Sequence, residues 1–123
     1  MASSTLTVLL SMLPATVLGA SSLLVSHYNG NLYSLALSDA GKLSVTGQVK
    51  GAGAMPSWLT LDSTAKTVYC TDEATNGSPV LNSYSVDGSG KLTLKASARS
   101  PGGELHSTLY GGSDGKGFLA AAE

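Results

Sequence analysis

The sequence predicts an all-β fold: a partial β-propeller of four-stranded antiparallel blades, about two blades of a presumed seven-bladed ring. Three observations carry that prediction. The 123 residues include only 12% charged residues and 15 Gly, with abundant Ser, Thr, Val and Leu. Such a composition suits short strands joined by tight turns. The sequence also repeats itself at a period of about fifty residues, and each period holds about four strand-like runs.

The repeat is read directly. "GAGAMPSWLTLDSTAKTVYCTDE", Gly51 to Glu73, lies over "PGGELHSTLYGGSDGKGFLAAAE", Pro101 to Glu123, without a gap. Gly53 meets Gly103, Ser57 meets Ser107, Leu59 meets Leu109, Lys66 meets Lys116 and Glu73 meets Glu123, each fifty residues on. A second block, "LYSLALSDAGKLSVTG" from Leu32, matches "LNSYSVDGSGKLTLKA" from Leu81 at a spacing of forty-nine, so one residue was inserted between the blocks. A sandwich would use similar strands but has no reason to repeat its sequence at a fixed period. Four antiparallel strands per period describe a propeller blade.

Taken in order, residues 1–20 differ from all that follows. "TLTVLLSMLPATVLGA", from Thr5 to Ala20, is an apolar, uncharged run broken by Pro14 and closed by small residues. It is short for a membrane span and has the shape of a secretory signal, although no Lys or Arg precedes it. The expectation is an exported protein without a stable membrane anchor; a cytoplasmic location is the alternative if the segment is not a functional signal. Export would make Asn76 in "NGS" a glycan acceptor, with Pro79 after the sequon weighing against it.

Residues 21–50 read as a partial blade, with "SLLVSHYN", "NLYSLAL" and "KLSVTGQV" in the slots of second, third and fourth strands. Residues 51–100 read as a complete blade, with strands over 57–61, 67–72, 80–86 and 91–98 separated by the turns "DSTAK", "EATNGSP" and "DGSG". Residues 101–123 open another blade with "HSTLY" and "GFLAAAE". A ring of about seven blades needs on the order of 350 residues, so this sequence is expected to be the first third of a longer protein. Bare blade faces would put about 10 kcal/mol or more of burial at stake. Self-association through exposed blade faces is expected in consequence.

Several function classes fall away. A net charge of −1 gives no nucleic-acid footprint. Cys70 stands alone, so no internal disulfide and no thiolate metal cluster can form, and it reads as a small buried residue. With two His and one Cys at unrelated spacings, no metal and no cofactor is expected. "GGSDG", Gly111 to Gly115, fits G-x-S-x-G but falls on a turn between strands, whereas a nucleophile elbow needs a helix after it. "GSDGKG" departs from a phosphate loop at Tyr110 and Gly117. Trp58 and the five Tyr are spread among strands and read as core and blade-packing residues.

"PSWLTLDSTAKTVYCTDE" and "LNSYSVDGSGKLTLKASARSPGGELHSTLYGGSDGKGFLAAAE" resemble the lactonase family of seven-bladed β-propellers. That family includes 6-phosphogluconolactonase-type enzymes and fungal carboxy-cis,cis-muconate cyclases. Its blades show a strand ending in Glu, a "y.vd..G.L" hairpin, "g..p.H" opening the next strand, then "dGk.l..a.Y". The resemblance covers about Ser22 to Glu123 and departs at Glu104, where the family usually has Pro, and at Glu123, after which the family's next aromatic would stand.

The resemblance implies hydrolysis of a lactone, or the related cycloisomerisation of a muconate, on a small-molecule lactone or carboxylate. Lactone opening needs a polarised carbonyl and an activated water, which a His with one or two carboxylates at a channel mouth supplies. The candidates are His106, at the start of an innermost strand, and Glu73 and Glu123, at equivalent heights at the ends of neighbouring second strands. The competing readings are a strand-edge His bonding a turn carbonyl and carboxylates that accept backbone N–H bonds in each blade. His27 reads as a structural neighbour of the closing blade. A non-catalytic binding or scaffold propeller is the alternative function. The 123-residue chain alone is expected to have little activity, since cationic groups for an acidic substrate would come from later blades.

Overall fold

The computed structural model describes residues 21–123, which form strands and turns only. The segment read as a secretory signal lies outside the described residues. Nine strands follow one another: β1 (Ser21–His27), β2 (Asn31–Leu37), β3 (Leu43–Lys50), β4 (Pro56–Asp62), β5 (Thr67–Asp72), β6 (Val80–Val86), β7 (Leu92–Arg99), β8 (His106–Tyr110) and β9 (Phe118–Ala122). They make antiparallel sheets in the orders β1-β2-β3, β4-β5-β6-β7 and β8-β9. The fold is a partial propeller in which every sheet is a simple meander.

The repeat seen in the sequence is also a repeat of backbone geometry. In the β2–β3 hairpin the Ser38 N–H donates to Lys42 O at 2.9 Å, and in the β6–β7 hairpin the Asp87 N–H donates to Lys91 O at 3.1 Å. Gly41 (φ 75°) and Gly90 (φ 81°) supply the left-handed residue that each turn requires. Both hairpins carry a register shift, between Ser34 and Leu35 and between Ser83 and Tyr84. Turn, glycine and bulge all recur at the forty-nine-residue spacing.

Two seams join the sheets. The first, between the three-stranded and four-stranded sheets, holds the core: Leu32, Ala52, Val68, Cys70, Tyr84 and Leu92 are buried together, with Leu24, Val49, Leu59 and Val86 packed against them. Alternation explains the set, because Val68 and Cys70 on β5 lie opposite Tyr84 and Asn82 on β6 and so share one face. Burial pushes the Tyr84 phenol up to about 12; nearby Cys70 adds to the shift and the neighbouring Asn82 amide opposes it. The Tyr84 hydroxyl and Asn82 Oδ1 are buried without a well-formed hydrogen bond. The second seam, between the four-stranded sheet and the β8–β9 hairpin, is polar and is described with the site.

The far face of the three-stranded sheet is apolar and open. Leu23, Val25, Leu43 and Val45 are exposed there. Val25 faces Tyr33 as Cys70 faces Asn82, so Leu23, Val25 and Leu43 hold the repeat positions of the buried Val68, Cys70 and Leu92. The same pattern is core in one sheet and surface in the other.

Candidate functional site

One end of the sheets gathers the chemistry-bearing side chains. At this end β1 turns into β2, β5 and β9 finish, and β4 and β8 begin. Tyr28, Glu73 and Glu123 each stand one residue beyond a strand that ends there, after His27, Asp72 and Ala122 respectively. The two Glu therefore follow the second strands of their blades rather than terminate them.

Glu73 is held at both ends. Its backbone N–H donates to Met55 O at 2.9 Å, and its carboxylate accepts the Tyr28 hydroxyl, which bridges the first and second sheets. That hydrogen bond, then burial and the carboxylate charge, raises the Tyr28 phenol above its ordinary range. Glu123 is exposed and lies beside Gly103, where a Cβ would sit 3.7 Å from Glu123 Cγ.

His106 opens β8, opposite Ala122, and is exposed. Its ring rests on Trp58, with centroids 4.4 Å apart and planes inclined at 46°. Among the described residues it makes no hydrogen bond to a turn carbonyl, and no hydrogen bond or ion pair links His106 to Glu73 or Glu123. The three expected catalytic residues thus share one end of the sheets without a hydrogen bond or ion pair between them among the described residues.

Trp58 corrects an expectation. It is 41% exposed, not a core residue. The cause is a bulge: Pro56 pairs with Asp72 and Leu59 with Cys70, so β4 spends one residue more than β5 over the same span. The extra residue breaks the alternation and turns the indole out toward β8.

A carboxylate that pins its blade does exist, but it is Asp72. Buried Asp72 accepts the backbone N–H groups of Met55 (2.9 Å), Ala54 (3.2 Å), Ala74 (3.2 Å) and Val80 (3.4 Å). Gly53, at φ 112°, passes so close that a Cβ would run into this carboxylate. In the next repeat Ala122 takes the place of Asp72, and Glu104 is buried instead, its Oε2 accepting the Ser100 hydroxyl at 3.1 Å. Asp72, Tyr28 and Trp58 were the residues that sequence reasoning missed. One signal was present: adjacent acids at a strand end point to opposite faces, so "DE" places one inward.

The remaining motifs resolve simply. His27 Nδ1 accepts the Asn29 N–H at 3.0 Å and the ring stands edge-on to Tyr33, so it organises the β1–β2 turn. Tyr33 accepts from the Asn29 and Asn31 amides, which lower its phenol pKa. "GGSDG" lies in the β8–β9 turn, between strands, which excludes a strand-to-helix elbow. Asn76 lies in the exposed β5–β6 loop. Among the described residues no group of three or more His, Cys, Asp or Glu is placed to hold a metal.

The second seam lies beneath this end. The Ser57 hydroxyl donates to Glu104 O at 2.9 Å, and the Thr60 hydroxyl meets Ser107 O at 2.8 Å and Ser107 Oγ at 2.7 Å. At the opposite end Lys116 Nζ reaches Asp62 Oδ1 at 3.2 Å and Thr64 Oγ1 at 2.6 Å. These bonds fix β8, and with it His106, against β4.

A family model described as "Lactonase, 7-bladed beta-propeller" matches residues 22–123. No curated protein and no solved structure matches the chain.

Proposed function

The chain belongs to the lactonase family of seven-bladed β-propellers, and on that premise we propose that it acts as a hydrolase of a small sugar lactone. His106 is the general base. It takes a proton from water as the water oxygen attacks the lactone carbonyl, and returns that proton to the ring oxygen as the acyl C–O bond breaks. Glu73, held by Tyr28, and Glu123 orient the attacking water. The single observation supporting this reading is the exposed His106 at the start of β8, at the same end of the sheets as both carboxylates.

The test is hydrolysis of δ-gluconolactone by the 123-residue chain and by His106→Gln. A rate above that of buffer, lowered about 10²-fold or more by the substitution, is the expected result. Equal rates for the two proteins overturn it. A second reading, a non-catalytic binding propeller, draws on His106 making no hydrogen bond or ion pair to a carboxylate among the described residues, and equal rates would favour it.

A further inference from the structure

We propose that Trp58 is the stacking platform for the ring of a pyranose-like ligand, with His106 at the platform's edge. This deepens the lactone reading and rests on it for the substrate class. The other exposed aromatics at strand positions, Tyr110 and Phe118, pair with centroids 5.6 Å apart at the far end of β8 from His106. Trp58 is different. A bulge turns it out of the sheet, His106 covers only part of it, and 41% of the residue stays open.

An indole face carries negative π density, and the C–H bonds on one face of a pyranose ring present the complementary positive edge. Trp58 also borders a shallow, open groove lined by Leu24, Val25, Ser26 and Leu59. The groove is apolar except for Ser26, whose hydroxyl donates to Ser57 O at 3.1 Å and keeps its lone pairs free to accept a ligand hydroxyl. An apolar wall with a few polar points is the general form of a small-molecule site. Stacking on Trp58 would set the ligand's ring atoms beside His106, where the proposed proton transfer takes place.

Trp58 is the chain's single Trp, so emission excited at the red edge of its absorption, where the five Tyr do not absorb, reports on this residue alone. The probe is glucono-δ-lactam, which keeps the six-membered ring and is not hydrolysed; open-chain gluconate is the control. The expected result is a saturable emission change with the lactam at a half-saturation about tenfold or more below that of gluconate. By calorimetry, Trp58→Leu, which keeps apolar bulk but removes the π face, weakens lactam binding about tenfold, whereas Trp58→Phe stays within about threefold. No saturable change, equal half-saturation for lactam and gluconate, or unchanged binding by Trp58→Leu overturns the proposal. Lactone hydrolysis without lactam binding sinks this inference alone. Lactam binding without hydrolysis sinks the catalytic reading and leaves this one standing.

Discussion

The two seams of the molecule are built from the two faces of the same four strands, and they differ in kind. Toward the three-stranded sheet, Val68, Cys70, Tyr84 and Leu92 close on Leu32 and Ala52 in an apolar core. Toward the β8–β9 hairpin, Thr60 and Ser57 bond Ser107 and Glu104, and Asp62 grips Lys116. Leu32 and Leu81 are repeat mates at the forty-nine-residue spacing, yet Leu32 is completely buried and Leu81 only partly. Position within the repeat sets which face a side chain takes. The neighbouring sheet decides whether that face becomes core.

The comparison is tested first where the chain crosses from one sheet to the next. Asp72→Ala strips an acceptor from the amides of Ala54, Met55, Ala74 and Val80 and is expected to cost about 4 kcal/mol in urea denaturation. Glu104→Gln, at the second crossing, costs about 1 kcal/mol or less, because its carboxylate receives the Ser100 hydroxyl rather than a cluster of amides. Similar costs at the two crossings would mean that both are pinned alike.

Next in size is the pair of repeat mates. Leu32→Ala is expected to lose about 3 kcal/mol and Leu81→Ala about 1 kcal/mol, the difference measuring the missing cover on the second side. Equal losses would show that the second seam is as tightly packed as the first.

The polar seam should respond to pH where the apolar one does not. The Ala65 backbone N–H, and with it Lys116, holds the Asp62 carboxyl below its ordinary range. A depressed folded-state value stabilises above the unfolded pKa of about 3.9, and that contribution fades as pH falls through the folded value. The stability gap between the natural chain and Asp62→Asn is therefore expected to hold from about pH 5 upward and to close below about pH 4. A gap that persists in strong acid would mean that Asp62 acts through shape rather than charge.

The smallest effect belongs to Tyr84→Phe. Its hydroxyl is buried in the apolar seam without a well-formed bond, so removing it should leave the midpoint of denaturation unchanged within about 1 kcal/mol, or raise it. A larger loss would reveal polar structure inside that seam.

Much of the fold was legible because turn chemistry is local. β6 runs over the residues expected, Val80 to Val86, since "DGSG" and "NGSP" fix its ends and alternation fixes its faces. The site was less legible, since its contacts cross between sheets. Tyr28 reaches Glu73 from a turn of three residues, 28–30, whereas the corresponding β5–β6 loop is longer, so no repeat alignment brings the two together. Trp58 was misread because a one-residue bulge is silent in a pattern of alternating side chains. Glu73 was found by its repeat position and His106 by the family resemblance, but their partners, Tyr28 and Trp58, belong to other sheets.

Cys70 gives the apolar seam a further property. It is the chain's single thiol, and burial, helped by the charge of Asp72, pushes it up to about 12. With almost no thiolate and no path for a reagent, it is chemically silent while the sheets stay closed. Separation of the two sheets returns it to water as an ordinary nucleophile. The rate at which an alkylating reagent consumes this sulfur is thus a clock for how often the first two blades part.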